Sequence, residues 1–509
     1  MVNPIEDTTV IYLEKTIYIF LISLAIAIFL KNAWVTEDAY IIFRSIEQLF
    51  AGNGPVWNPH ERVQVYTSPL WYFVLAFARV FSSNVFLNAI IVSLILWLLV
   101  TLILTRILRD NLTFLIAILL LSSSTAFFDF TSSGLENVLA YLIIVLYIFY
   151  YVRLFTFTYL PKDHSIRIIL FLFGLIILVR HDLMLLLLPS TVYVVWEHLN
   201  VFSKKLWIKQ FIIALSPFIL FSLFSLLYYG FPFPNTAYAK LNTGIERIEI
   251  LKQGIAYFYA SFKYDFITLI IICGAVILLL CNITNKFYNP LGGGIVLNLL
   301  YILYVGGDFM QGRFLSYAYL TSVILLLATF RKIYSLKILI FIVISCYCVF
   351  YPHTPFNSPY DYSNDKIEMG IADERGYYFH ITSLYSYIFN KTARFSPENI
   401  NDITIKSNIG IFGYSSGIKR TIVDPLALSD PLLARMPVTG WWRIGHFQRS
   451  IPEGYIESLT HGKAVIVDPQ INEFYKKLKI ITQSEQLFTL ERLKTIVLFN
   501  LGYYNHLLH

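Results

Sequence analysis

Two adjacent carboxylates, Glu37 and Asp38, follow the end of the first long apolar segment of the chain. A carboxylate at the edge of a membrane can deprotonate a hydroxyl group, and partial desolvation tunes its pKa for work as a general base. The plain alternative is that the pair ends a helix and is solvated at the interface. A divalent metal stays open as a third interpretation, but no further acid stands at ligand spacing, so it is not favoured. The sequence assigns no cofactor.

A glycine-rich turn at 306–314 carries Asp308 and Arg313, five residues apart. These two side chains either pair with each other or surround an anion, to which the glycines bring backbone N–H groups. Arg180 lies at the mouth of an apolar segment. It either extends its charge to the interface or holds a phosphate group.

Other polar residues carry weaker signals. Glu136 and Asp182 begin apolar segments, where an acid interacts favourably with the helix dipole, and substrate contact is the alternative. Lys240 and His446 are weak candidates individually, because an isolated histidine is more often structural. The run "WWR" at 441–443 either anchors the chain at the interface or stacks on a sugar ring.

Composition places these groups in a polytopic membrane protein. The chain has 509 residues, of which 57% are hydrophobic and 14% charged, and its mean hydropathy is +0.63. Basic cytoplasmic loops account for the net charge of +7. Nucleic-acid binding is excluded because no basic patch alternates with stacking aromatic residues in a polar domain. The four cysteines show neither a disulfide framework nor metal-ligand spacing.

Hydropathy predicts about eleven membrane-spanning helices in a transmembrane domain of residues 1–352. Lys and Arg in alternate loops place the N-terminus in the cytoplasm. This alternation requires that 68–81 be a re-entrant or interfacial helix in a long first outer loop, 34–84. The predicted segments are 16–34, 85–105, 112–128, 136–156, 166–180, 182–198, 208–229, 263–282, 290–306, 314–330 and 335–352.

Residues 353–509 have more charge and no long apolar run, which predicts a soluble mixed α/β domain on the outer side. The predicted strands are "IGIFG" (409–413), "TIVDP" (421–425) and "AVIVDP" (464–469). The predicted helices are "ADERGYYFHITSLYSYIF" (372–389) and "NEFYKKLK" (472–479).

The unusual polar residues collect on the predicted outer face, while the cytoplasmic loops look like basic anchors. This asymmetry indicates chemistry at the outer surface of the membrane. A transporter or lipid flippase would need polar groups deep within the spans, whereas the ionisable residues here stand at span ends. A sensor or binding module would leave the polar loops between spans without a role.

The motifs together resemble GT-C-type glycosyltransferases that use polyprenyl-phosphate sugars. They are most similar to the terminal β-(1→2) arabinofuranosyltransferases of mycobacterial cell walls and their bacterial relatives. The similarity runs over nearly the whole chain, and the order of the motifs is more specific than any one of them. The motifs are "TEDAYIIF" (36–43), "NPHERVQVYTSPLW" (58–71), "SGLEN" (133–137), "LVRHD" (178–182), "YYGFPFPNTAYAKL" (228–241), "VGGDFMQGRFL" (305–315), "VDPLALSDPLLARMP" (423–437) and "WWRIGHFQRSIPEGY" (441–455).

The resemblance implies a role for each matching residue. Asp38 falls on the acidic motif that supplies the catalytic carboxylate, and Glu37 fills the companion position. The residues implied for the donor phosphate are Arg313, Arg180, Lys240 and His446. The residues implied for substrate binding are Asp182, Glu136, Asn235, Asp308, Tyr66, Trp441, Trp442 and Arg443.

The resemblance also implies a polyprenyl-phosphate-linked donor, a glycan, glycolipid or glycoprotein acceptor, and a periplasmic or extracytoplasmic site in a multi-pass inner or plasma membrane. The alternative within the same superfamily is transfer of mannose or aminoarabinose to protein or lipid A. Several residues depart from the usual motifs near the presumed site: Glu37, His60, Gln64, Val65 and His181.

Overall fold

The computed structural model describes residues 4–156, 161–241, 243–281, 286–330, 332–357, 367–390, 400 and 402–508. It is mostly helical. The helices are α1 Pro4–Asn32, α2 Ala39–Phe50, α3 Pro69–Phe81, α4 Val85–Leu108, α5 Asn111–Ser123, α6 Thr125–Phe128, α7 Asn137–Thr156, α8 Lys162–Val179, α9 Met184–Glu197, α10 Lys204–Tyr228, α11 Asn235–Lys240, α12 Arg247–Tyr264, α13 Phe266–Leu280, α14 Asn289–Val305, α15 Leu315–Phe330, α16 Tyr334–Phe350, α17 Glu374–Thr382, α18 Gly410–Ser415, α19 Tyr455–His461, α20 Pro469–Gln483 and α21 Leu490–Asn500.

Six short strands form three two-stranded sheets within the described residues. The pairs β1–β2 and β5–β6 are antiparallel, and β3–β4 is parallel. The strands are β1 Ile367–Glu368, β2 Ile371–Ala372, β3 Ile403–Ile405, β4 Thr421–Val423, β5 Trp442–Arg443 and β6 His446–Phe447.

The chain is a membrane protein by the length and composition of its helices. Among the described residues, three helices are long and apolar enough to cross a membrane (α4, α7 and α10), or up to five if two bent pairs each count as one span. Ten of the eleven predicted segments each coincide with one helix, whereas 112–128 is divided at Ser124 into α5 and α6 with a bend of 83° at the break, and the count of eleven spans is not confirmed. Several of these helices are shorter apolar ones of 10–17 residues.

Two local predictions around the spans agree with the structure. The division at "RHD" is present, because α8 ends at Val179 and α9 begins at Met184. The helix predicted in the first outer loop is α3, Pro69–Phe81. Several helices were not predicted, among them α2 and α12. The segment forming α12 is too polar for a hydropathy signal, and it meets α13 at a bend of 112°.

The chain forms two compact units. Unit 1 consists of Met1–Thr36, Phe86–Ser216 and Leu251–Ala393, and unit 2 consists of Glu37–Val85, Pro217–Ile250 and Arg394–His509. These units do not follow the predicted boundary at residue 353. The first outer loop groups with the C-terminal segment, and residues 353–393 group with the helices of unit 1.

Two strand predictions in unit 2 were wrong. Ile409 is the N-cap of helix α18 and residues 410–413 belong to the helix, which packs so closely on the chain before α2 that a Cβ on Gly410 would lie 2.0 Å from the Glu37 carbonyl oxygen. Residues 464–469 form no strand, because Asp468 caps α20 by accepting hydrogen bonds from two backbone N–H groups. In the first case, tertiary packing overrides the strand propensity of the segment. In the second case, helix capping by Asp468 overrides it. The strand at 421–423 and the helices at 374–382 and 469–483 are confirmed.

An apolar cluster fixes the first outer loop in unit 2. Buried side chains from the loop pack on the segment that carries α18 and β4. Their burial stabilises the loop, since burying one large aliphatic side chain contributes about 1.5–3 kcal/mol. The buried members of the cluster are Ile41, Trp57, Val63, Val65, Ile409 and Ile422.

Candidate functional site

The acidic pair of the first outer loop stands at the start of α2 in unit 2. Asp38 occupies the N-cap position, but its side chain makes no capping hydrogen bond. The Glu37 carboxyl Oε1 accepts a hydrogen bond from the Ile411 backbone N–H at 3.2 Å. The plain interpretation of Asp38 as a helix cap therefore lacks the bond that defines a cap.

The surroundings of Glu37 favour its protonated form at neutral pH. Burial, then the charges of Asp38 and Asp424, raise its pKa to about 8 against the opposing backbone hydrogen bonds of Ile411 and Gly410. Because Glu37 is protonated at pH 7, the pair carries at most one negative charge. Such a pair can accept one proton from a substrate hydroxyl without bringing two carboxylates together.

Asp424 is a member of this acidic group that sequence analysis did not single out. It is fully buried, and its carboxylate accepts hydrogen bonds from Leu426 N at 2.9 Å and Leu428 N at 2.7 Å. Burial raises its pKa to about 7. Its position directly after the apolar strand β4 is the signal by which it could have been found.

Arg44 holds α2 in place. Its guanidinium donates hydrogen bonds to the carbonyl oxygens of Gly417 and Arg420, both at 2.6 Å, and to those of Gly413 and Trp57. Burial, followed by the charge of Arg420, lowers its pKa to about 9. Since α2 begins directly after the acids, these bonds also fix where Glu37 and Asp38 lie within unit 2.

A basic cluster forms around the hairpin β5–β6, also in unit 2. Arg443 pairs with His446 across the hairpin. Burial, then the charges of Arg443 and Lys240, lowers the pKa of His446 to about 3. His446 is therefore neutral at pH 7. The positive charges of Arg443 and Lys240, which add to the effect of burial, favour an anion at this place.

The two tryptophans of the hairpin differ in exposure. Trp441 is 57% exposed, and the Arg443 guanidinium lies 5.9 Å from its ring centroid. Trp442 stacks on Phe447 with ring centroids 6.2 Å apart. Trp441 consequently offers the freer aromatic surface for a sugar ring.

Two predicted substrate residues lie in packing sites of unit 2. The hydroxyl groups of Tyr66 and Tyr229 are 2.8 Å apart, and the Tyr66 ring stacks on Tyr72 at 4.1 Å. The Asn235 side chain donates hydrogen bonds to the carbonyl oxygens of Ala427 and Asp430, both at 3.0 Å. These contacts give both residues a structural role.

Unit 1 brings together five of the predicted residues in one ionic network. Glu136 is 2% exposed, and its Oε1 accepts hydrogen bonds from Arg313 at 2.8 Å and Arg180 at 3.2 Å. Arg180 also makes a two-pronged contact with Asp182, both bonds being 3.1 Å. Arg313 lies 3.6 Å from Asp308.

The network is tightly balanced. Burial opposes the ionisation of Glu136, but the charges of Arg313 and Arg180 bring its pKa below the usual value. Three carboxylates and two guanidiniums give the network a formal charge of −1. Arg313 Nε is a buried donor without a hydrogen-bond partner in the described part of the chain. One donor of the network is thus available to a bound anion or a water molecule.

Glu61 is a second buried acid of unit 2, in the motif "NPHERV". Burial, then the charge of Asp430, raises its pKa to about 8, against a hydrogen bond donated by Asn58 at 3.0 Å. Metal ligation has no evident place here: among the described residues, no group of three His, Cys, Asp or Glu side chains is arranged to hold an ion.

The raised pKa of Glu61 predicts a pH-dependent stability. The folded protein keeps this proton up to about pH 8 while the unfolded chain loses it near pH 4.5. Stability therefore falls as pH rises through this window, by at most about 1.4 kcal/mol per pH unit. Thermal unfolding of purified protein from pH 5 to 9 should show a flatter profile in Glu61→Gln than in wild type. Parallel profiles would contradict the assignment.

Comparison with known proteins points to one kind of enzyme. No protein-family model matches the chain. A terminal β-(1→2)-arabinofuranosyltransferase of Mycobacterium tuberculosis is 26% identical over 329 residues, which cover 56% of this chain and 51% of that protein. A protein of the same name from Corynebacterium glutamicum is 45% identical over 42 residues, covering 8% of this chain and 6% of that protein.

The chain therefore spans about half the length of the first relative and a small part of the second. Both relatives carry the same name, and it is the one that the order of motifs suggested. The resemblance to terminal β-(1→2)-arabinofuranosyltransferases recognised in the sequence is confirmed over 56% of the chain.

Proposed function

We propose that the chain is a membrane glycosyltransferase that moves a sugar from a polyprenyl-phosphate donor to a hydroxyl group of a glycan acceptor at the outer face of the membrane. The observation that carries the proposal is the acidic pair at the start of α2, where Asp38 lies beside Glu37 and burial raises the pKa of Glu37 to about 8. The similarity to proteins named arabinofuranosyltransferases makes arabinofuranose the first sugar to test.

In the proposed reaction, the acceptor hydroxyl oxygen forms a bond to the anomeric carbon of the donor sugar. The bond between that carbon and the phosphate oxygen breaks, and polyprenyl phosphate leaves with the bonding electrons. Asp38 takes the proton of the attacking hydroxyl. General-base assistance of this kind contributes about 10²–10⁴-fold to the rate.

The basic residues of unit 2 are proposed contacts of the departing phosphate, where negative charge grows in the transition state. Lys240 and Arg443 supply the positive potential, and His446 takes part as a neutral imidazole. Within unit 1, taken by itself, the unmatched Nε donor of Arg313 is a proposed contact for an anion, while Arg180 is held by Glu136 and Asp182. Trp441 is the proposed stacking surface for the acceptor because of its exposure.

A panel of synthetic polyprenyl-phosphate sugars tests the reaction with purified protein in detergent. The donors carry arabinofuranose, mannose, glucose or aminoarabinose, and sugar release is measured with and without a short arabinofuranosyl acceptor. We expect turnover of the arabinofuranosyl donor that increases with acceptor. Turnover of mannose or aminoarabinose alone would replace the proposed sugar. Well-folded protein that turns over no donor in the presence of acceptor would argue for a transporter instead.

A further inference from the structure

A polar cavity in unit 1 lies away from any role assigned above. It has a volume of about 70 Å³, which at roughly 10–15 Å³ for each water centre holds about five to seven waters. That is room for one sugar ring with its hydroxyl groups. Its lining carries the charged side chains of Asp129, Asp373, Glu374 and Arg375, together with the polar side chains of Thr125, Gln311 and His353.

Three of these side chains are fixed by contacts within unit 1. Asp373 caps α17 by accepting a hydrogen bond from Gly376 N at 2.9 Å. Arg375 lies 3.2 Å from Asp129 Oδ1 and donates to Asn32 at 2.6 Å. A ligand would meet these groups already oriented, which lowers the entropic cost of binding.

The backbone around Gln311 is also fixed. Gln311 N donates to the Ala372 carbonyl at 2.9 Å, and Ala372 N donates to the Phe309 carbonyl at 2.7 Å. These bonds join the glycine-rich turn to the segment that carries Asp373, so two walls of the cavity are held together by backbone hydrogen bonds.

Two polar groups at the cavity have unused hydrogen-bonding capacity. The side-chain amide of Gln311 makes no hydrogen bond to the described residues, although its backbone N–H does. Asp129 is 7% exposed, and its Oδ1, which lies 3.2 Å from the Arg375 guanidinium, is a buried oxygen without a hydrogen-bond partner in the described ranges. A buried carboxylate oxygen and an amide facing a cavity call for hydrogen-bonding partners from outside the chain.

The charge of the lining selects the kind of ligand. Three carboxylates and one guanidinium give a formal charge of −2, which disfavours a phosphate-bearing molecule. Carboxylate oxygens accept hydrogen bonds from hydroxyl groups, and the amide and guanidinium donate to them. The rings of Phe130 and Tyr264 add apolar surface for the C–H face of a ring. A neutral polyhydroxylated ring matches all of these groups.

We infer that this cavity is a carbohydrate subsite that binds one neutral sugar residue of the acceptor glycan. The inference rests on the proposed function for its choice of sugar. Asp129 and Gln311 contact the sugar hydroxyl groups, and Arg375 holds Asp129 in the orientation that this contact needs.

The test measures binding of the methyl glycoside of an arabinofuranosyl trisaccharide to the full chain in detergent, by calorimetry and without donor. Gln311→Ala is the main variant, because its side chain holds no internal bond and its loss should leave folding intact. Asp129→Asn is the second variant. The matched control is Glu473→Gln, because Glu473 lies in α20 and forms an exposed ion pair with Lys477. Thermal unfolding checks that each variant is folded.

We expect Gln311→Ala and Asp129→Asn each to weaken binding by about 2–10-fold, the effect of one lost hydrogen bond, with the control unchanged. Equal affinity in all proteins, or no binding by wild type, would overturn the inference. The inference would also be overturned if Ca²⁺ stabilised the wild-type protein more than the sugar does and this stabilisation were lost in Asp129→Asn.

Donor turnover, measured separately on the same proteins, keeps the two proposals apart. If the wild-type protein turns over a donor but the cavity variants bind the sugar as tightly as wild type, this inference is overturned and the proposed transferase function is retained. Cavity-dependent sugar binding without turnover of any donor supports the subsite and counts against the transferase.

Discussion

We expect replacement of Asp38 by Asn to lower turnover of the proposed polyprenyl-phosphate donor by about 10²–10⁴-fold with no loss of folded protein. The amide keeps the shape of the side chain but cannot take the proton of the acceptor hydroxyl. Asn caps helices about as well as Asp. If Asp38 only ended the loop and began α2, the variant would therefore behave like wild type.

The measurement is initial-rate sugar transfer at several pH values, with thermal unfolding in parallel. Asp468→Asn is the matched control, because Asp468 is a true N-cap whose carboxylate accepts hydrogen bonds from Gln470 N and Ile471 N. It should leave both rate and stability close to wild type. Full turnover by Asp38→Asn would remove Asp38 as the base.

Replacing Glu136 by Ala should destabilise the protein by about 3–5 kcal/mol, because it leaves two buried guanidiniums without their shared carboxylate. Arg313 and Arg180 both contact Glu136, so one substitution disturbs two ion pairs at once. The effect is read as a lower midpoint of thermal or denaturant unfolding in detergent.

Asp163→Ala is the matched control for this variant, since it also removes one carboxylate of an ion pair in unit 1. The Asp163–Arg167 pair is exposed on both sides, at 44% and 49%, with 3.3 Å between its charged atoms. An exposed pair contributes about 0–1 kcal/mol. Equal destabilisation by the two substitutions would show that the Glu136 network is not the buried centre we describe.

Hydropathy predicted the apolar helices well because the composition of each apolar segment is enough to mark it. The prediction failed where a helix is polar or where tertiary packing decides the secondary structure. The sequence of α12 is amphipathic rather than apolar, and Gly410 is helical because α18 must pack beside Glu37. A count of membrane spans is harder still, since several apolar helices are shorter than a bilayer needs.

The sequence was enough to predict which residues belong to the candidate site. It was not enough to predict which of these residues contact one another. Glu136, Arg180 and Arg313 each stand beside an apolar segment, which marks them individually. Nothing local indicates that one carboxylate serves both arginines, which lie 44 and 177 residues away along the chain. Asp424 and Glu61 were missed for the same reason, because their raised pKa comes from burial that only the folded chain creates.

During synthesis, α2 can be anchored by Arg44 only after the C-terminal partners of Arg44 have been made. Its carbonyl partner at Arg420 is made 376 residues later, which at roughly 5–20 residues per second amounts to about 20–75 s of synthesis. During that interval the loop bearing Glu37 and Asp38 exists without the surface that holds it. Conditions that slow the ribosome in the second half of the message lengthen the exposure of this loop to proteases, long before any change in the finished protein.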